Sequence, residues 1–285
     1  MMMADVRRFP AGDPVPAVTE AAATGQVAAI FADIRATLGM PMVNLVWRHL
    51  AVRPGALEWT WAMLKPLYRS GAIAGEAAAL RERLIPPPIV RWPAAGFRAV
   101  GLSDADGAAI GHVLRAYDRG NANNLMAFSA LLAQLDGRHP AGTPRIATAK
   151  LLDAPLPPLL DLEAVDAATA DLAIRLNRFG QIEEGPILAS LYRHLAHWPG
   201  YLALAWTLLA PMEERGELAA LAARTRDAAD AAAPALLGGM PDAPPRVDGA
   251  DRAYARTALE LFAGSGIARM TAIGRLLLAA QPTER

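Results

Sequence analysis

The sequence predicts an all-α protein made of two tandem helical repeats. Alanine, the strongest helix former, accounts for about a fifth of the 285 residues. Hydrophobic residues make up 53% of the chain, which is enough to build a sizeable core. A segment of 26 residues occurs twice with matching internal spacing. We therefore expect packed helices and almost no sheet.

The repeat is clearest between residues 41–66 and 186–211. Eleven of the 26 aligned positions are identical without a gap, and they include an Arg-His-Leu-Ala run and a Pro-Gly pair. The offset of 145 residues continues beyond this segment and pairs Tyr117 with Phe262. A constant offset across a whole unit indicates duplication into two units rather than a solenoid of short repeats. We expect the two units to pack about a pseudo-twofold axis, as an intrachain dimer.

A proline-rich segment separates the two units. Five prolines within residues 138–162 exclude a continuous helix there, and this segment is the expected linker. The predicted organisation is an N-terminal extension at 1–17, repeat one at 18–137, the linker, repeat two at 163–281 and a tail at 282–285.

Each repeat is expected to contain the same order of helices. A leading helix is followed by a short helix with the Arg-His-Leu-Ala run, a longer helix and an alanine-rich helix. Proline suits the first turn of a helix, so Pro54 and Pro199 mark the starts of the longer helices. A final pair of helices begins near Ser103, which is the expected N-cap, and near Asp251. Residues 264–266, Gly-Ser-Gly, are interpreted as a turn between the helices of the last pair.

Charge and composition exclude several classes of function. The 28 basic and 28 acidic residues cancel, so no overall field recruits nucleic acid or an anionic membrane surface. The absence of cysteine excludes disulfides and cysteine nucleophiles and fits a reducing cytoplasm, where we place the protein. Pro10, Pro14 and Pro16 interrupt any secretory signal, and no apolar stretch reaches the length of a membrane helix. His194 and His197 have i, i+3 spacing without a third ligand, so no metal is expected.

A ligand pocket is expected at the seam between the repeats, where asymmetric chemistry requires positions at which the two copies differ. Asn44 lies one turn before Arg48, so their side chains share a helical face. With Asn121 they are candidates for binding a small carboxylate or carbonyl, and ordinary buried hydrogen bonding is the alternative interpretation. The asymmetric polar pairs are Asn44 and Ala189, Leu45 and Ser190, Asn121 and Gly266, and Asn124 and Arg269.

Three segments carry a family resemblance: Asp-Ile-Arg-Ala-Thr-Leu at 33–38, the Leu-Ala-x-x-Pro-Gly corner at 50–55 and Arg-Gly-Asn at 119–121. Together with the Pro-led helix after the first segment, they resemble the group I 2-haloacid dehalogenases, which accept both D and L substrates. The resemblance covers nearly the whole chain and implies an all-helical pseudo-dimer with a pocket between the repeats. It also implies hydrolysis without cofactor or covalent intermediate. In that mechanism an aspartate activates a water that attacks the halogen-bearing carbon with inversion, and an asparagine holds the water.

The resemblance assigns roles to individual residues. The water-holding asparagine matches Asn121. The aspartate, which directly follows a serine, matches Leu191 after Ser190, and because leucine cannot accept a proton, the general base is missing. The pocket residues of the first repeat match Met42 and Leu45, which keep the wall apolar. The expected substrate-binding residues are Met42, Asn44, Leu45, Ser190, Leu191 and Tyr192.

Two other side chains are candidates for the missing base. Glu184, beside Glu183, stands at the entry of the same helix, where its alternative role is to face the helix dipole. His194 can act as a base near neutral pH, but its duplication as His49 favours hydrogen bonding that fixes the helices. Three hypotheses stay open: a dehalogenase-like hydrolase, a ligand-binding or structural pseudo-dimer that kept the scaffold, and a different hydrolase that uses Glu184 or His194. The expected partner is a small organic acid, no cofactor is expected, and homodimerisation is left open.

Overall fold

All regular structure in the described part of the chain is helical, without a strand, so the all-α prediction is confirmed. The leading, short, longer and alanine-rich helices expected in each half are present, within residues 25–83 and 167–232. The structure adds two short helices, Ala94–Ala99 and Pro234–Leu237, that the sequence did not predict. The computed structural model of the protein describes residues 15–282 except 41, 85–86, 149–154, 182–186, 242, 244 and the side chain of Ser265.

Thirteen α-helices follow one another in these ranges, with a 3₁₀ turn at Leu162–Ala164 and a π-helical turn at Phe262–Ile267. In chain order they are α1 (Gly25–Leu38), α2 (Leu45–Leu50), α3 (Pro54–Arg69), α4 (Ala72–Arg83), α5 (Ala94–Ala99), α6 (Asp104–Leu135), α7 (Ala167–Arg178), α8 (Ser190–Leu195), α9 (Pro199–Glu214), α10 (Glu217–Ala232), α11 (Pro234–Leu237), α12 (Gly249–Leu261) and α13 (Ala268–Ala279).

Helix α6 is a single helix of 32 residues, so the expectation of a helix pair after Ser103 is wrong. Ser103 caps it as expected: its Oγ accepts from the Asp106 N–H at 3.1 Å, and the Asp106 carboxylate accepts from the Ser103 N–H at 2.9 Å. Gly120 and the asparagines beside it are poor helix formers. This stretch is nevertheless largely buried, and tertiary packing outweighs the local propensity.

Helices α12 and α13 form one continuous helix through the π-helical turn. The interpretation of residues 264–266 as a turn between two helices is therefore wrong. In a π-helical turn each hydrogen bond spans one residue more than in an α-helix, and the helix continues in the same direction. The glycine at 264 permits close packing on α10, since a Cβ would lie 3.1 Å from Nη1 of Arg226.

The continuous helix Gly249–Ala279 is the one helix in the described ranges that is long and apolar enough to cross a membrane. The share of its most apolar window that is buried inside the protein is 71%. Such burial is typical of a core helix, whose apolar surface is covered by its neighbours.

Two hydrophobic cores share α6 and the α12–α13 helix. The first core joins side chains of α1–α4, α12 and the C-terminal half of α6, from Ala122 onward. The second joins side chains of α7–α9, α13 and the N-terminal half of α6, up to Tyr117. Each long helix therefore passes from one core into the other, and the two helices cross near Asn121 and Arg269.

Residues 145–147 of the proline-rich segment contact α4 and the residue before it. The described parts of this segment, 138–148 and 155–161, contain no helix, as the prolines predicted. The N–H of Arg145 donates to the carboxylate of Glu76 at 2.7 Å. Gly75 leaves room for this contact, because a Cβ there would lie 2.1 Å from the carbonyl oxygen of Arg145.

The Pro-Gly corners begin the longer helices as predicted, with Pro54 and Pro199 in the first turns of α3 and α9. The glycine after the second proline is required by packing rather than by backbone conformation. A Cβ at Gly200 would lie 2.3 Å from the carbonyl oxygen of Val100, the residue that follows α5. The corner is thus a direct backbone contact between α9 and the segment that leads into α6.

Replacing Gly200 by alanine is expected to lower the free energy of unfolding by about 1–3 kcal/mol, because the Val100 backbone must shift to admit a methyl group. Urea unfolding measures this change. The matched control is Gly274→Ala in α13, where a Cβ meets nothing within 4 Å. That variant is expected to be more stable by up to about 1 kcal/mol, from helix propensity. Unchanged stability of Gly200→Ala would contradict the close contact.

Candidate functional site

A cavity of about 70 Å³ lies where α6 crosses the α12–α13 helix, and the starts of α2 and α8 close it. One water-sized group occupies on the order of 10–15 Å³ on this scale, so the cavity suits a molecule of about five such groups. Its lining is mostly aliphatic and aromatic with a few polar side chains, as in small-molecule sites. The polar lining residues are Asn44, Tyr117, Asn121, Asn124, Ser190 and Arg269.

Most of the residues expected at the site meet at this cavity. Tyr192 does not line it, because its side chain is fully buried in the second core. His194 is also off the lining, but it contacts a residue that is on it. Glu184, with Glu183, lies outside the described residues. Six of the nine predicted site residues line the cavity: Met42, Asn44, Leu45, Asn121, Ser190 and Leu191.

Four lining residues had no assigned role: Asn124 and Arg269 were named only as an asymmetric polar pair, and Tyr117 and Phe262 were not named as site residues. A signal for them was present. Tyr117 and Phe262 stand 145 positions apart, as do Asn124 and Arg269, and each pair differs in chemical type. Applying the rule of asymmetric pairs to every pair at this offset selects all four.

Three polar atoms of the lining residues are buried without a protein partner among the described residues. They are Oδ1 of Asn44, Nδ2 of Asn121 and Nε of Arg269. Buried polar groups are nearly always hydrogen-bonded to protein or water, and an unsatisfied one costs about 1–3 kcal/mol. Their concentration around one cavity therefore indicates that its contents supply the missing hydrogen bonds.

Arg269 brings a buried positive charge to the cavity. It is 3% exposed, and its Nη1 donates to the carbonyl oxygens of Asn177 at 2.5 Å and Phe179 at 3.0 Å. Burial lowers its pKa, and interactions with Tyr192 and Glu213 oppose that shift. Within the described ranges, no carboxylate lies at ion-pair distance from it. A buried guanidinium of this kind favours an anionic ligand, which compensates its desolvation.

Asn177 at the end of α7 organises the wall around Arg269. Its Nδ2 donates to the carbonyl oxygen of Ile187 and its Oδ1 accepts from the N–H of Ala189, both at 3.0 Å. Its own carbonyl accepts from Arg269. One fully buried amide thus fixes both the guanidinium and the segment that leads into α8.

Tyr117 and His194 form a buried hydrogen-bonded pair beside the cavity. The Tyr117 hydroxyl lies 2.8 Å from Nδ1 of His194, and Ser190 also hydrogen-bonds this hydroxyl. The His194 ring makes a second hydrogen bond, to the carbonyl of Pro157. The tautomer of His194 decides whether Nδ1 donates to the Tyr117 hydroxyl or accepts from it.

Burial sets the protonation of this pair. Desolvation raises the pKa of Tyr117 well above its ordinary value and lowers the pKa of His194 from 6.5 to about 4. Interactions with Arg193 and His197 lower the pKa of His194 in the same direction as its burial. Both side chains are therefore uncharged near neutral pH.

A second cavity of about 10 Å³ has four lining residues in common with the main one. This volume is roughly that of a single water molecule. Two of the shared residues, Asn44 and Asn121, carry unpaired amide atoms, and a third is Tyr117. The fourth shared residue is Met42. The amide oxygen of Asn44, the amide nitrogen of Asn121 and the hydroxyl of Tyr117 therefore belong to residues that surround a space for one water.

The two histidines with i, i+3 spacing do not converge on a common point. His197 Nε2 lies 2.8 Å from the carbonyl oxygen of Pro158, while His194 bonds Tyr117 and Pro157. The described residues contain no group of three or more metal-ligating side chains.

The buried His194 makes stability depend on pH. Its pKa is lower in the folded protein than in the unfolded chain, so the unfolded chain binds more protons between about pH 6.5 and pH 4. The stabilisation is therefore present above pH 6.5 and is lost as the pH falls toward 4, by about 3 kcal/mol. Urea unfolding measures the loss of unfolding free energy between pH 6.5 and pH 4. This loss is expected to be smaller in His194→Gln than in wild type, by about the 3 kcal/mol that His194 contributes. The control is His139→Gln at an exposed site, and equal dependence in wild type and His194→Gln would contradict the burial.

Two curated proteins resemble the chain in sequence. A configuration-inverting 2-haloacid dehalogenase of Alcaligenes xylosoxydans xylosoxydans is 27% identical over 210 residues, which cover 69% of this chain and 69% of that protein. An (R)-2-haloacid dehalogenase of Rhizobium sp. (strain NHG3) is 43% identical over 56 residues, which cover 20% of this chain and 22% of that protein. No protein-family model matches the chain.

Solved structures resemble the chain over nearly its whole length. A D-2-haloacid dehalogenase mutant has a TM-score of 0.73 at 19% identity and covers 95% of this chain and 98% of its own. A complex of such a mutant with D-2-CPA has a TM-score of 0.72 at 20% identity, covering 97% and 98%. A complex of D-2-haloacid dehalogenase with L-LA has a TM-score of 0.70 at 20% identity, covering 95% and 98%. The chain thus has the helical fold of the 2-haloacid dehalogenases, and these enzymes are also its relatives in sequence.

Proposed function

We propose that the chain is a pseudo-dimer of two repeats, 18–137 and 163–281, and that the cavity is their seam. The short helices α2 and α8 have six residues each and the longer helices α3 and α9 have sixteen each, and both pairs begin 145 positions apart. The lining of the cavity also supports this organisation. Seven pairs at the same offset line it: Met42 and Ile187, Asn44 and Ala189, Leu45 and Ser190, Val46 and Leu191, Tyr117 and Phe262, Asn121 and Gly266, and Asn124 and Arg269.

The proposed ligand is a small 2-substituted carboxylic acid. The carboxylate binds the guanidinium of Arg269, whose buried charge is the observation that carries the proposal. The substituent and the carbon chain lie on the apolar wall of Met42, Leu45 and Leu191. A neighbour of the same fold is a complex with D-2-CPA, which supports this ligand class.

The proposed reaction is hydrolytic dehalogenation of a 2-halocarboxylic acid without a cofactor. Water attacks the halogen-bearing carbon from the side opposite the halogen, a carbon–oxygen bond forms, and the halide leaves with its electron pair. The product is the 2-hydroxy acid of inverted configuration, and the water loses one proton. Asn121 holds the water through its unpaired Nδ2, in the small cavity that it shares with Asn44.

The reaction also requires a base that takes the proton of the water, and no residue has been assigned to this role so far. The described lining contains no aspartate, glutamate or histidine, and Leu191, which matches the aspartate of the resembling family, is fully buried in it. This observation favours a second candidate function: a non-catalytic protein that binds a small carboxylate in the same cavity.

The assay that separates the two functions is halide release from D- and L-2-chloropropionate and from bromoacetate. We expect the wild type to release halide from chloropropionate and to form lactate of inverted configuration. Leu191→Asp is expected to raise kcat by on the order of 10², because it supplies a carboxylate base at the matching position. Leu191→Asn is the control, since it has nearly the same shape and cannot act as a base. Binding without release in the wild type would favour the non-catalytic function.

Ligand binding is tested separately by calorimetry with lactate, which cannot lose halide. Arg269→Met is expected to weaken binding by about 10- to 100-fold, because it removes a charge-assisted hydrogen bond of about 1.5–3 kcal/mol. Arg256→Met on the exposed side of α12 is the control, and thermal unfolding checks that both variants are folded. Wild-type affinity in a folded Arg269→Met variant would contradict the carboxylate site.

A further inference from the structure

Tyr117 is in contact with both cavities and with a histidine. It lines the main cavity, it lines the space for one water next to Asn121, and its hydroxyl is bonded to His194. We infer that Tyr117, backed by His194, is the general base that takes the proton of the attacking water in place of the aspartate. This inference rests on the hydrolytic function proposed above.

The contact between Tyr117 and His194 provides the path along which the proton travels. The Tyr117 hydroxyl lies 2.8 Å from Nδ1 of His194. In the proposed relay the phenol O–H donates to this nitrogen, and the imidazole proton lies on Nε2. The phenol oxygen keeps a lone pair for the water. As the water oxygen bonds to the substrate carbon, its proton passes to the Tyr117 oxygen while the Tyr117 proton passes to His194. The halide takes the electron pair of the broken bond, and the imidazolium later returns its proton to solvent.

Neither residue performs this step alone. Burial raises the pKa of Tyr117 far above neutral, so a free phenolate does not form, and the proton must move on to His194 in the same event. His194 does not line the main cavity and reaches the water through Tyr117. Burial holds its pKa at about 4, close to the ordinary value of about 3.9 for an aspartate.

The groups around the pair keep the histidine neutral before the reaction. The titratable neighbours that act on it are Arg193 and His197, and both disfavour its protonation. Arg48 and Arg193 act on Tyr117. Ser190 hydrogen-bonds the Tyr117 hydroxyl from the cavity wall, so it positions the phenol oxygen.

The corresponding pair in the other half of the chain cannot carry a proton in this way. Phe262 takes the place of Tyr117 and lies on His49, with ring centroids 5.7 Å apart, but it has no hydroxyl. Nδ1 of His49 lies 2.7 Å from the carbonyl oxygen of Pro16, so it is occupied as a donor. Only His194 can therefore take part in the proposed relay, because Tyr117 has no tyrosine counterpart beside His49.

The test combines Tyr117→Phe with halide release, lactate binding and a pH profile. Tyr117→Phe is expected to lower kcat by 10²- to 10⁴-fold with KM and lactate affinity nearly unchanged, because it removes the proton path and no apolar contact. Tyr254→Phe is the matched control: its hydroxyl also bonds a histidine, His49, away from the cavity. It is expected to keep wild-type turnover.

Rescue distinguishes proton transfer from a structural role. Adding Leu191→Asp to Tyr117→Phe is expected to restore halide release, whereas a misplaced cavity wall would not be rescued. The wild-type kcat is expected to fall as the pH drops toward about 4, where His194 becomes protonated. His194→Gln is expected to have low kcat without that acid limb.

The outcomes separate the two proposals. Turnover of Tyr117→Phe within about threefold of wild type would overturn the relay and leave the hydrolytic function standing. Lactate binding without halide release in wild type would overturn the relay and favour the non-catalytic binding function. If the wild type neither binds lactate nor releases halide, the proposed function is overturned together with the relay.

Discussion

The crossing of α6 with the α12–α13 helix is the constraint on which the rest of the structure depends. Both helices pass from one hydrophobic core into the other, so neither can be apolar along a single face throughout. At the crossing, bulky apolar side chains give way to Asn121 and Gly266 and to Asn124 and Arg269. Close-packed cores leave few spaces larger than a water. The change in side-chain type therefore leaves a cavity at this crossing of the two helices.

The polar groups at this crossing determine what the cavity accepts. Buried amide atoms and a buried guanidinium are unfavourable unless something pairs with them, and the surrounding wall offers mostly hydrocarbon. A small anion with an apolar body satisfies both requirements. Asn177 contributes from outside the cavity, because it fixes Arg269 and the chain before α8 with its own hydrogen bonds. The charge is thus held in place before any ligand arrives.

The two halves of the chain place different chemical groups on opposite sides of the cavity. An apolar cavity built from equal halves would present the same groups to both ends of a ligand. Here one end carries Arg269 where the other carries Asn124, and one side carries the hydroxyl of Tyr117 where the other carries Phe262. In the proposed function these differences orient the carboxylate and halogen ends of the ligand and separate the water side from the charge side.

The amino-acid sequence by itself determined the helical class, the order of the first four helices in each half, the Ser103 cap and the proline starts of α3 and α9, because these follow from local propensity and capping. Its repeat also selected Asn44, Asn121 and Ser190, and the family resemblance selected Leu191; the fold brings all four to one cavity. Local signals failed where packing overrides propensity: α6 runs on through Gly120, and residues 264–266 stay helical as a π turn. The tertiary structure alone decided that Tyr117 meets His194, 77 residues away, and that the carbonyl oxygens of Asn177 and Phe179 hold Arg269. Such contacts depend on how two long helices cross, which no pattern within a single helix encodes.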